Sequence, residues 1–113
     1  MHAAAYRVLA ARAESQGAWV ELASLIESRA GHSDDSTERA ALYYQLGRVH
    51  ELERGDVEAA GRAYDAALEA DRDHPGALDA SAALALRQGD LPRADALYAR
   101  IAPERSTLSG DAL

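Results

Sequence analysis

At 113 residues the chain is long enough for one small domain and leaves no room for a second. Twelve arginines against 19 acidic residues give a net charge of −7, which argues against the basic stripe that a nucleic-acid surface needs. There is no Cys, so neither a disulfide framework nor a thiolate zinc site can form, and no apolar run approaches the roughly 20 residues of a membrane span.

Abundant Ala and few β-branched residues favour helix throughout, and every formal cation is Arg. The opening MHAAAYRVLAARAESQG spreads arginines through its length and does not read as a secretory signal, so a cytoplasmic setting is expected. Residues 3–15 predict a first helix, with Tyr6, Leu9, Ala10 and Ala13 as its apolar stripe and Gly17 as its stop. A second helix is expected over 18–30, burying Trp19, Leu22, Ala23, Leu25 and Ile26 and closed by Gly31.

The polar loop 31–37 follows, and Asp35 with Glu38 can form a capping box for a third helix over 37–53. Its packed face would hold Leu42, Tyr43, Leu46, Gly47, Val49 and His50. Gly55 ends that helix and Asp56 caps the fourth, 57–71, which buries Val57, Ala60, Ala63, Tyr64, Ala67 and Leu68. Asp73-His74-Pro75 stops it and starts a fifth, 75–88, lined by Leu78, Ala82, Ala85 and Leu86. The sixth, 91–101, would turn Leu91, Ala94, Leu97, Tyr98 and Ile101 inward, and Pro103 opens a frayed tail over 104–113. No strand signal occurs.

The chain repeats itself. Gly55, Asp56, Ala60 and Tyr64 return as Gly89, Asp90, Ala94 and Tyr98, each 34 residues later. A 34-residue period with this pattern resembles the tetratricopeptide repeat, in a bacterial-type form. The resemblance covers nearly the whole chain, with repeats at about 3–31, 37–72 and 75–103. The second repeat gives Tyr43, Leu46, Gly47 and His50, then Ala60, Tyr64 and Ala67; the third gives Leu78, Ser81, Ala82 and Ala85, then Ala94, Tyr98 and Ile101. The first places Leu22 and Ile26 where Ala and an aromatic are usual. The resemblance implies an all-α fold, a right-handed α-solenoid of three antiparallel hairpins. One residue too many separates Leu46-Gly47 from Gly55, so an extended corner is expected there, and the loop at 31–37 lengthens the first repeat.

In that family a protein or peptide usually lies in the groove lined by the first helix of each pair. Carried over, the groove residues are Arg7, Ala11 and Glu14, then Tyr44, Arg48 and Glu51, then Asp79, Ala83 and Arg87. Tyr44 and Arg48, at i and i+4, would offer an aromatic platform beside a cation. The Lys/Asn clamp that grips C-terminal carboxylates is missing, so chaperone tails are not expected partners. Tyr6, Tyr43, Tyr64, Tyr98 and Trp19 read as core.

No phosphate loop, HExxH or nucleophile elbow is present, so neither an enzyme nor a cofactor is expected. His32, His50 and His74 have acidic neighbours but no helical ligand spacing, so no metal is expected. The leading expectation is a non-enzymatic scaffold for a protein or peptide, without nucleic-acid or membrane partners. The alternative is self-assembly, or continuation of a longer array, through a bare last helix. Leaving two or three of Leu97, Tyr98 and Ile101 partly wet would forfeit roughly 3–6 kcal/mol, at about 1.5–3 kcal/mol per side chain.

Overall fold

The computed structural model describes residues 3–101. Six helices follow one another: α1 Ala3–Ser15, α2 Trp19–His32, α3 Ser36–Arg48, α4 Val57–Ala70, α5 Pro75–Arg87 and α6 Leu91–Ile101. A π-helical turn, Val49–Glu53, continues α3, and no strand occurs among the described residues. The tail expected over 104–113 lies outside them.

Each helix packs on its neighbours in sequence; beyond these, α3 touches α5, and Asp65 of α4 pairs with Arg93 of α6. Extents of 53 × 28 × 19 Å reflect that serial packing. The core is correspondingly strung out. Leu22, Ile26, Leu42, Leu46 and Val49 fill its first part; Ala60, Tyr64, Ala80 and Leu84 its second; Leu78, Ala82 and Leu97 its third. In α2, Leu22 and Ile26 are fully buried.

The glycine corners form as the sequence predicts at Gly17, Gly55 and Gly89, all with positive φ. In the first and third, the amide after the glycine donates to a carbonyl five residues back: Ala18 to Ala13 and Asp90 to Ala85. At the middle corner Asp56 reaches six back, to His50, and Arg54 donates to Val49. The extra residue is therefore absorbed inside the helix as a π turn, and the corner itself keeps its two residues. This corrects the expected extended corner. A widened turn retains its backbone hydrogen bonds, whereas a longer loop would have to find new partners for them.

Gly31 does not close α2. The helix runs through it to His32 and stops where Ser33 turns extended, at φ −83 and ψ 134. The Asp35 cap forms, its carboxylate accepting from the amides of Thr37 (2.9 Å) and Glu38 (3.4 Å). The return arm of the box is relayed: the Asp35 amide donates to Ser33 Oγ, which donates to Glu38 Oε1 at 2.6 Å. At the start of α5, His74 Nδ1 accepts from the Ala77 amide at 3.0 Å ahead of Pro75.

Three apolar assignments change. Leu86 and Leu91 are exposed, and Leu84 is buried in place of Leu86. Helix α5 lies between two others: Leu78 and Ala82 cluster with Leu97 of α6, while Ala80 and Leu84 pack with Tyr64 of α4. A one-stripe reading finds the first face and misses the second. Tyr98, expected in the core, is exposed, whereas Leu97 beside it is buried within the chain.

Candidate functional site

The expected groove residues separate into two environments. On α3 and its π turn, Tyr44 and Glu51 are drawn into the junction with α4 and α5. The Tyr44 ring lies 6.2 Å from that of Tyr64 and 5.3 Å from that of His74. A Cβ at Gly76 would meet Tyr44 Cζ at 3.0 Å, so the absent side chain there makes room for the ring over the start of α5. Tyr44 is half-buried and packs against Ala60, Tyr64, Ala80 and Leu84.

Glu51 is not free to meet a partner. Its Oε1 accepts the Tyr64 hydroxyl at 2.7 Å, and its Oε2 pairs with Arg87 at 2.5 Å. Only 11% of its side chain is exposed. Burial, and then the hydrogen bond to this carboxylate, push the Tyr64 hydroxyl pKa well above the usual tyrosine range. Glu51 thus ties three helical segments together, and Arg87 contributes from the rim.

Glu14 and Arg48 come together elsewhere. With Trp19, Leu22, Gln45 and Leu52 they line a cleft of about 180 Å³ between α1, α2 and the end of α3. Its floor is apolar, Arg48 and Glu14 are exposed, and Leu52 projects into solvent. Arg7, Asp79, Ala11 and Ala83 are all exposed and line none of the clefts described here. The sequence reading missed Gln45 and Leu52. Leu52 carried a signal, being apolar and seven residues after Gln45, outside the Leu42–Leu46–Val49 stripe.

A second cleft, of about 250 Å³, opens between α2, α3 and α4, with Glu27, Tyr43, His50 and Arg62 on its walls. Arg54 Nη1 donates to His50 Nδ1 at 2.8 Å, which assigns the neutral ring's proton to Nε2. Burial, and then the Arg54 and Arg62 charges, lower the His50 pKa, while Asp56 and Glu27 oppose the shift. Among the described residues, no three His, Asp or Glu side chains are grouped to hold a metal ion, and no helix is long and apolar enough to cross a membrane.

No family model, curated protein or solved structure matches this chain.

Proposed function

We propose that the chain is a non-enzymatic scaffold, a right-handed α-solenoid of three tetratricopeptide-like hairpins that holds a protein or peptide segment against its first helices. The same reading takes it as a cytoplasmic protein. One observation carries the proposal: the cleft that joins Glu14, Arg48 and Leu52. It offers an apolar floor ringed by Glu14, Glu53 and Arg48, two carboxylates to one guanidinium, suited to a segment with an apolar side chain next to a basic one. Its mouth is open and shallow, which suits a chain laid across it better than an enclosed small molecule.

The test is selection from a displayed random-peptide library, with binding of the selected peptides measured by fluorescence anisotropy. Sequences pairing an apolar residue with Lys or Arg are expected, and Glu14→Ala or Leu52→Ala should each weaken them about tenfold, some 1.4 kcal/mol. Selected peptides that bind both variants unchanged would reject the cleft as the site.

A further inference from the structure

The interface between α4 and α5 is built once inside the chain, and its two halves occur again at opposite ends. Val57, Ala60 and Tyr64 on α4 return 34 residues later as Leu91, Ala94 and Tyr98 on α6. The helix that covers α4 is α5, and α5 also has a counterpart. His74, Ala77, Ala82, Ala85, Gln88 and Gly89 match His2, Ala5, Ala10, Ala13, Gln16 and Gly17, each 72 residues earlier.

Ala94 and Ala13 are buried like their counterparts Ala60 and Ala85, but at the outward contact positions burial is reversed. Inside the chain Tyr64 is 0% exposed and Ala80 8%; their counterparts Tyr98 and Val8 are 42% and 66% exposed. Leu91, counterpart of the half-buried Val57, is 56% exposed. Val8, Leu91 and Tyr98 make up half of the large apolar side chains exposed among the described residues. Nothing among those residues packs before α1 or beyond α6.

Charge identifies the occupant. Within the α4–α5 interface, Leu84 lies against Gly61, its Cδ2 3.7 Å from where a Cβ at Gly61 would stand. The counterpart of Leu84 on α1 is Arg12, and that of Gly61 on α6 is Asp95. Both are exposed, and neither side chain has a partner among the described residues. A neutral contact inside the chain becomes a matched cation and anion when the two ends meet, and the pairing selects α1 of another copy over an arbitrary apolar helix.

We infer that α1 of one copy packs on α6 of the next as α5 packs on α4, so that copies of the chain associate head to tail. The inference rests on the repeat reading and not on the cleft, so the two fail independently. Such a contact uses unlike surfaces and does not close at two copies, so the assembly grows with concentration.

Light scattering on the full chain, from micromolar to millimolar, tests it. The mass is expected to rise beyond a dimer. Arg12→Asp and Asp95→Arg, both surface changes whose folding circular dichroism checks, should each weaken association about tenfold. The double variant, and an equimolar mixture of the two single variants, should restore it, because each then pairs opposite charges. A monomer throughout, an assembly that stops at two, or association indifferent to the single reversals would each overturn the inference.

Discussion

Gly47 in α3 lies so close to Tyr64 in α4 that a Cβ at position 47 would overlap the tyrosine ring. The ring cannot retreat, because it is fully buried and its hydroxyl is held by Glu51. Alanine at 47 would gain about 1 kcal/mol of helix propensity, but overpacking a fixed ring costs about 1–3 kcal/mol. Gly47→Ala should therefore lose up to about 2 kcal/mol in a denaturant melt.

Gly61→Ala provides the opposite sign from the same chemistry. A Cβ there meets Leu84 Cδ2 at 3.7 Å, an ordinary contact, and the residue sits in the interior of α4. A gain of about 0.5–1 kcal/mol is expected, measured in the same melt. A loss would mean that α4 and α5 lie closer than this spacing.

The Glu51 junction orders three variants. Glu51→Ala strands the buried Tyr64 hydroxyl and should cost about 1–3 kcal/mol. Tyr64→Phe leaves the Arg87 pair intact and should cost about 1 kcal/mol. Arg87→Ala, at a side chain 61% exposed, should cost under about 1 kcal/mol. Melting midpoints should rise in that order, and Arg87→Ala as the most damaging variant would contradict the geometry.

Stability should fall as pH drops below about 6.5, the ordinary His value, through the lowered pKa of His50. The sign follows from the proton count. The folded ring resists a proton that the unfolded ring accepts, so the unfolded state binds more protons below that value. Stability is complete above it and declines on acidification until the folded ring also titrates. Equilibrium melts between pH 5 and 7.5 on the protein and on His50→Gln check this: the variant should show a flatter dependence, about pH 5–7 being the range of an unperturbed His.

At alkaline pH the sign is reversed. The Tyr64 pKa is raised in the fold, so its contribution is present below the ordinary value of 10.0 and is lost as pH climbs beyond it. In an ultraviolet titration of the five tyrosines, the last to ionise should be Tyr64, coincident with loss of helix by circular dichroism. Tyr64→Phe should remove that final phase.

Local chemistry alone determined much of this chain. Positive-φ glycines paired with capping aspartates mark two of its corners; Pro75 marks a helix start; apolar spacing gives six helices and no strand. These signals act within a few residues, so they can be read without knowing what lies opposite. The extra residue before Gly55 was legible too, but whether it would lengthen a loop or widen a helix turn depended on hydrogen bonds that only the packed corner supplies. Tertiary structure decided the rest. Leu84 and Leu86 are the same residue type two positions apart, and only the placement of α4 buries one and not the other. Tyr64 and Tyr98 occupy one position of a repeated pattern, yet among the described residues only Tyr64 has a following helix, α5, to cover it. Glu51 and Arg48 both read as groove residues, but Tyr64 and Arg87 engage the first, while α1 and α2 build a cleft around the second. A side chain's burial depends on its neighbours across space, and a repeated sequence repeats its environment only where the neighbours repeat as well.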